Sequence, residues 1–131
     1  MIVDTSVWVN GLWGIQTEQV TLVAQYITAD QRIYSTPTIL QEVLQGVQDD
    51  SRYESVKEGM MAHTMLMLDP VEAAIEAAQL YRTLRKKGIT TRKPNDCLIA
   101  HYAIFYDMPI LHNDADFDQI ARFTALRIVT L

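Results

Sequence analysis

The hydrophobic positions of this chain fall into short apolar runs separated by longer stretches with helical spacing. Short runs bounded by polar residues are typical of buried strands, and the predicted strands are Met1–Val3, Ile33–Ser35, Met65–Leu68, Ile110–His112 and Arg127–Leu131. No repeat, linker or low-complexity segment interrupts the alternation. The pattern predicts an α/β fold, a three-layer α/β/α sandwich with a central, mostly parallel sheet.

Helix signals lie between these runs. Thr36 and Pro37 mark one helix start, because threonine caps the first turn and proline fits its first position. The helix that begins at Pro94 carries apolar residues almost all round, which predicts burial on most sides. The other predicted helices are Thr17–Ile27, Ser51 to about Thr64, Val71–Lys87 and Phe117–Phe123.

Length and composition favour one globular domain over residues 1–131. The chain is 49% hydrophobic, enough for a substantial core, and its apolar runs stop well short of the roughly 18 residues that span a bilayer. Cys97 is the only cysteine, so no internal disulfide can form, which fits a reducing compartment. We therefore expect a soluble, cytoplasmic protein that does not contact a membrane.

The formal net charge of −5 argues against a protein that coats nucleic acid with its whole surface. The cations are nevertheless concentrated, because six of the eleven lie between Arg82 and Lys93. Arg92 and Lys93 come just before the helix that begins at Pro94. We expect these two side chains to bind phosphates of a substrate without reading its sequence.

Aspartates follow two of the predicted strands and open one helix. Asp4 follows the first strand, Asp114 and Asp116 follow Ile110–His112, and Asp96 lies in the first turn of the preceding helix. Ligands of parallel sheets collect at the carboxyl ends of the strands, near the point where the strand order reverses. Three segments remote in sequence therefore deliver carboxylates to one edge of the sheet.

Ordinary structural roles remain open for each acid. Asp4 is also explained as a turn or helix cap, Asp96 as a first-turn acid, and one of Asp114, Asp116 and Asp118 as the cap of the last helix. Clustering has a cost, however, because two unit charges about 5 Å apart repel by roughly 3 kcal/mol at an effective dielectric of 20. Protonation relieves that repulsion, and so does a divalent cation that prefers oxygen ligands, such as Mg²⁺ or Mn²⁺.

Four motifs together resemble the PIN-domain ribonucleases, and specifically the VapC toxins of toxin–antitoxin pairs. They are MIVDTS at the start, TILQEVLQG with Glu42, PNDCLIAHYA with Asp96, and LHNDADFDQIA near the end. The resemblance spans nearly the whole chain. It implies a single PIN-like nuclease domain over residues 1–131, a Mg²⁺- or Mn²⁺-dependent endoribonuclease, a homodimer, and inhibition by a VapB-type antitoxin.

The resemblance also implies roles for individual residues. The expected catalytic acids are Asp4, Glu42, Asp96 and Asp114. Of these, Asp4, Asp96 and Asp114 are the expected metal ligands, with Asp116 as the alternative to Asp114, and Glu42 would ligate or position the attacking water. The expected supporting residues are Ser6, Thr5 and Asn113, beside the acids. His112 is near enough to the acids for a role, whereas His63 and His101 show no zinc-like spacing.

Two other classes of protein place an aspartate at the end of a strand. A phosphatase of the haloacid dehalogenase type needs a second acid two residues after the first, where this chain has Ser6. A receiver-like signalling domain, which accepts a phosphoryl group, needs a lysine late in the chain, and none follows Lys93. Both remain alternatives to the ribonuclease hypothesis.

Overall fold

The computed structural model describes residues 1–131 and contains four strands and seven helices. The strands are β1 (Ile2–Val3), β2 (Tyr34–Ser35), β3 (Thr64–Met65) and β4 (Ile110–Leu111). The helices are α1 (Thr5–Leu12), α2 (Glu18–Thr28), α3 (Pro37–Gln45), α4 (Asp50–Met61), α5 (Pro70–Lys86), α6 (Pro94–Phe105) and α7 (Ala115–Phe123).

The four strands form one parallel sheet in the order β3-β2-β1-β4. Ile2 of β1 pairs with Tyr34 on one side and with Ile110 on the other. The chain adds β2 and β3 on one side of β1 and then crosses to add β4 on the other side. The strand order therefore reverses between β1 and β4, and the carboxyl ends of these two strands are the expected place for a ligand.

Alternate residues of the strands point into two separate hydrophobic cores. Ile2 contributes to a cluster of 17 buried residues drawn mainly from α3 to α7. Val3 and Leu111 face the opposite side, where Val7 of α1 and Val23 of α2 cover the sheet. Helices thus cover both faces of a parallel sheet, and the predicted three-layer α/β/α arrangement is confirmed.

Two segments differ from the sequence prediction. The pattern did not predict α1, which begins at Thr5 directly after β1 with Asp4 as its N-cap. The predicted final strand, Arg127–Leu131, is reduced to one parallel bridge between Ile128 and Ile110. Leu131 is 56% exposed, so the end of the chain has little buried surface with which to extend that pairing.

Other boundaries moved by a few residues. Helix α4 ends at Met61, and β3 takes Thr64–Met65 instead of the predicted Met65–Leu68. Helix α7 begins two residues earlier than predicted, because Asp114 caps it by accepting a hydrogen bond from the backbone of Asp116.

Helix α6 is buried on most sides, as its composition predicted. Its buried residues include Cys97, Ile99, Ala100 and Ala103, and the longest helix of the fold, α5, packs against it. None of the helices combines the length and the apolar character that crossing a bilayer requires. The first turn of α6 lies at the carboxyl edge of the sheet and places Asp96 there.

Candidate metal centre

Carboxylates from separate elements meet at the edge where the strand order reverses. Asp96 comes from the first turn of α6, Asp114 is the N-cap of α7, and Asp116 lies in the first turn of α7. One oxygen of each of these three lies within 4.8 Å of the others. The acids predicted at the end of β4 and at the start of α6 are therefore brought together.

Asp4 reaches the same edge from β1. It is buried, it caps α1, and its Oδ2 accepts hydrogen bonds from the Ser6 backbone N–H at 3.0 Å and from the Ser6 hydroxyl at 2.6 Å. Asp4 is not part of the group of three, but its charge contributes to a raised pKa at Asp96. The two carboxylates therefore lie close enough to interact.

Asp96 has the most perturbed environment of these acids. The residue is 3% exposed, and its Oδ2 is buried without a hydrogen-bond partner. Burial, followed by the charges of Asp114 and Asp4, raises the pKa of Asp96 to about 7, with Lys93 acting in the opposite direction. A buried, unpaired carboxylate oxygen beside other carboxylates fits a hard divalent cation, and the group of three contains no nitrogen or sulfur donor.

Asp114 is held from several directions. Its Oδ1 accepts a hydrogen bond from the Asp116 backbone at 3.0 Å, and its side chain pairs with Arg92 at 3.3 Å and Lys93 at 3.4 Å. Burial by itself would raise the pKa of Asp114, but the Asp116 hydrogen bond and the two cations outweigh burial and lower the pKa. The pKa values of Asp96 and Asp114 are therefore shifted in opposite directions.

Arg92 and Lys93 lie against the acids. Arg92 also pairs with Asp116, through its Nε at 3.4 Å and its backbone N–H at 3.2 Å. In this structure, the two cations therefore offset part of the carboxylate repulsion. Their side chains are 73% and 58% exposed, so they also remain accessible to a substrate.

Ser6 connects the carboxyl end of β1 with that of β4. Its hydroxyl donates to Asp4 and accepts a hydrogen bond from the backbone N–H of Asn113 at 2.9 Å. The hydrogen bond of Asn113 to this network thus comes from its backbone, whereas the sequence pointed to its side chain. The Ser6 contacts hold the ends of β1 and β4 in register beside the acids.

Glu42 lies on α3, half-buried, and accepts a hydrogen bond from the Thr5 hydroxyl at 2.8 Å. Thr5 follows Asp4 directly, so this contact ties Glu42 to the end of β1. The structure does not place Glu42 in the group of three carboxylates.

Two residues at this edge received no defined role from the sequence. His112 accepts a hydrogen bond from the backbone N–H of Asp114 at 3.0 Å, and its other ring nitrogen lies 3.0 Å from Asp118. In the sequence, Asp118 was only one of three candidates for the cap of the last helix, and it lies in the first turn of α7. The sequence signal for this contact was the six-residue spacing between His112 and Asp118. That spacing places one residue at the end of a strand and the other in the first turn of the next helix.

The fold and the site together define a class: parallel three-layer α/β proteins with a carboxylate-lined site where the strand order reverses. The family model described as "PIN domain" matches residues 1–123 of the chain. The chain belongs to the PIN domain family. The resemblance recognised in the sequence is thus confirmed, and it decides against the phosphatase and receiver alternatives.

Curated relatives and solved structures agree with this assignment. The chain is 34% identical over 128 residues to "Ribonuclease VapC11" of Mycobacterium tuberculosis and to "VapC ribonuclease Mb1587" of Mycobacterium bovis, covering 97% of this chain and 96% of each relative. Its fold is similar to that of a VapBC chain from Salmonella typhimurium solved bound to DNA, with a TM-score of 0.75, 23% identity, and coverage of 98% of this chain and 95% of the other. A chain of VapBC2 from Rickettsia felis, solved with a promoter DNA fragment, has a TM-score of 0.75, 16% identity, and coverage of 98% and 96%.

Proposed function

We propose that this protein is a metal-dependent endoribonuclease that hydrolyses RNA phosphodiester bonds as the toxin of a VapBC-type toxin–antitoxin pair. The observation that carries the proposal is the buried, unpartnered Oδ2 of Asp96 beside a group of carboxylates. The relatives at 34% identity are named as ribonucleases, which supports RNA as the substrate. Residues 1–131 act as one nuclease domain in this proposal.

The ligands of the ion would be Asp4, Asp96 and Asp114, with Asp116 beside them. Mg²⁺ or Mn²⁺ fits this set of oxygen donors, and magnesium sites that use one or two carboxylates commonly act on phosphates. Held by these residues, such an ion would supply a water molecule of lowered pKa and positive charge beside the scissile phosphate. Because Asp114 and Asp116 both lie within 4.8 Å of Asp96, the proposal does not require a choice between them.

Glu42 is the proposed group that positions the attacking water and accepts its proton. The Thr5 hydroxyl donates a hydrogen bond to Oε1 of Glu42 at 2.8 Å. This bond fixes the Glu42 side chain and leaves its Oε2 to accept a hydrogen bond from the water. Ser6 orients Asp4 and the turn after β4 through the contacts described above.

Arg92 and Lys93 would change partners when the ion binds. With Asp114 and Asp116 holding a divalent cation, the exposed side chains of Arg92 and Lys93 would be available for RNA phosphates. This local basic contact is compatible with the net charge of −5, because only the rim of the site is positive.

The proposed partners follow from the VapBC relationship. A VapB-type antitoxin would inhibit the enzyme, and a cation of that antitoxin placed in the acidic site would relieve the same repulsion as the metal. We further expect a homodimer that acts in the cytoplasm.

The direct test is incubation of the purified protein with mixed RNA in Mg²⁺, Mn²⁺ or EDTA. We expect cleavage only with metal, and loss of at least about 100-fold in rate for Asp4→Asn and for Asp96→Asn, since each change removes a charged ligand. Asp50→Asn, an exposed first-turn acid of α4, is the control and should cleave like the wild type. Cleavage that persists in EDTA, or in both site variants, would rule out this function.

A further inference from the structure

The His112 side chain is fixed on three sides at the end of β4. The backbone N–H of Asp114 can only donate, so the His112 Nδ1 that receives it at 3.0 Å carries a lone pair. The ring proton of the neutral imidazole therefore lies on Nε2, which donates to Oδ1 of Asp118 at 3.0 Å. The ring also packs against Phe117, a core residue, with 5.4 Å between ring centroids.

These contacts hold the turn from which Asp114 projects. Two consecutive backbone N–H groups of the turn are bound by side chains: that of Asn113 by the Ser6 hydroxyl and that of Asp114 by His112. Asp118 lies one helical turn after Asp114 in α7, so its bond to His112 joins the end of β4 to the start of α7. The backbone at Asp114 is therefore held on one side by the Ser6 contact and on the other by the contact between His112 and Asp118.

We propose that His112 and Asp118 form a positioning pair that fixes the backbone at Asp114 and so presets its carboxylate for the divalent cation. This inference rests on the proposed metal-dependent function. Asp118 is not in the group of three acids, and its side chain is 62% exposed, so it acts through His112 and not as a ligand. Residues that orient metal ligands typically change metal affinity by 10- to 100-fold when they are removed.

The test is the equilibrium Kd for Mn²⁺, measured by calorimetric titration of the full chain. Asp118→Ala removes the acceptor for the His112 Nε2 proton and should raise the Kd by about 10-fold. Asp118→Asn keeps a carbonyl oxygen at that place without the charge, and should keep the Kd within about 2-fold of the wild type. Because the Asp118 side chain is largely exposed, both variants should remain folded by circular dichroism.

A matched control separates positioning from general loss of stability. Asp49 is an exposed acid that, like Asp118, accepts a side-chain hydrogen bond near a helix start, here from Ser51 on α4. Asp49→Ala should lower the melting temperature without changing the Kd for Mn²⁺.

The two members of the pair should be coupled. His112→Leu keeps the bulk against Phe117 and removes both polar contacts, so its Kd should rise at least as much as that of Asp118→Ala. The double variant should be no weaker than His112→Leu, since both changes release the same contact. Additive losses would show that the residues act independently and would overturn the proposal.

Other outcomes also decide the question. Wild-type affinity in Asp118→Ala, with metal bound normally by the wild type, overturns the pair and leaves the proposed function standing. An Asp118→Asn variant as weak as Asp118→Ala would show that the charge matters and not the hydrogen bond, and would also overturn the pair. A wild-type protein that binds no Mn²⁺ overturns both the pair and the metal-dependent function.

Discussion

Asp96 occupies a position in which two general effects oppose each other. The first turn of a helix favours an anion, because free N–H groups and the helix dipole stabilise negative charge. Burial and the neighbouring charges of Asp114 and Asp4 are larger effects here, since the pKa of Asp96 is raised to about 7. The folded protein therefore holds a carboxyl group that requires either a proton or a cation near neutral pH.

This pKa predicts how stability without metal depends on pH. The pKa of Asp96 is about 7 in the folded protein and near 3.8 in the unfolded chain, so the folded state binds the extra proton between these values. The stabilisation is complete below about pH 4 and is lost as the pH rises through 7. The whole shift corresponds to an amount on the order of 4 kcal/mol.

The measurement is the free energy of unfolding by denaturant in EDTA, at pH 5.5 and pH 8. Relative to the wild type, Asp96→Asn should become more stable as the pH rises, because an amide has no charge to bury. The difference between the two proteins isolates Asp96 from other titrating groups. An equal difference at both pH values would contradict the raised pKa.

The acids were predictable from the sequence, but their surroundings were not. The runs before Asp4 and Asp114 were read as strands, and the carboxyl ends of neighbouring parallel strands share an edge. The pairing of Arg92 with Asp114 and Asp116 joins positions more than 20 residues apart, and a charge pattern does not reveal it. The cap and site interpretations also proved compatible, since Asp4 and Asp114 each cap a helix at the acidic edge.

At the scale of elements, the site depends on links between secondary structures. Ser6 at the start of α1 joins Asp4 to the turn after β4, and Thr5 joins the same segment to Glu42 on α3. The chain contains the same local motif at Asp49 and Ser51, where the serine hydroxyl donates to the aspartate at 2.8 Å. That second copy is exposed and makes no such connection, so the motif alone does not identify the site.

The same serine-to-alanine substitution can be compared at both copies of the motif, at the buried Asp4 and at the exposed Asp49. Ser6→Ala should lower the free energy of unfolding by about 1–3 kcal/mol, because it leaves the buried Asp4 carboxylate with one hydrogen bond fewer. Ser51→Ala removes the same contact on the surface and should cost less than about 1 kcal/mol. Denaturant unfolding of both variants gives the two values. Equal costs would show that the Ser6 hydroxyl contributes no more than the exposed Ser51 hydroxyl does.

Helix α6 carries both the hydrophobic core and Asp96. Ile99 is completely buried, so Ile99→Ala should cost about 2–5 kcal/mol by removing packed methyl groups and leaving a cavity. Ile75 on α5 is 55% exposed, and Ile75→Ala should change stability by about 0.5 kcal/mol or less. Denaturant unfolding measures both. A cost below about 1 kcal/mol for Ile99→Ala would contradict the tight packing of α6.

Most elements could be predicted because their signals are local. Caps at Thr17, Thr36 and Asp69 each bond to the backbone of the helix they start. Helix α1 was missed because it is only eight residues long and a single residue, Asp4, separates it from β1, so the pattern left Asp4 open as either a turn or a cap. The final strand was overestimated because the apolar composition of Arg127–Leu131 does not show how far this segment pairs with β4, and only Ile128 forms a bridge, to Ile110.

At the scale of the whole molecule, the fold concentrates negative charge where α6 and the ends of β1 and β4 meet. The carboxylates of Asp96, Asp114 and Asp116 lie within 4.8 Å of one another and repel each other. Arg92 and Lys93 offset this repulsion only in part, since the neighbouring acids still help to raise the pKa of Asp96. A divalent cation that binds only the folded state should therefore stabilise the molecule.

Thermal unfolding tests this effect. Mn²⁺ at about 100 times its Kd should add about 2.7 kcal/mol to the free energy of unfolding and raise the melting temperature by several degrees. Asp96→Asn should show a much smaller shift, because it removes the charge of the proposed ligand whose Oδ2 has no hydrogen-bond partner. An unchanged melting temperature for the wild type at millimolar Mn²⁺ would argue against a preformed site.

The most direct measurement of the central claim is a crystal structure of the protein with Mn²⁺, with the ion located by its anomalous scattering. We expect a strong anomalous peak among the carboxylates of Asp96, Asp114 and Asp116, on the side that faces Asp4. A peak elsewhere, or none at saturating Mn²⁺ while these side chains stay paired with Arg92 and Lys93, would contradict it.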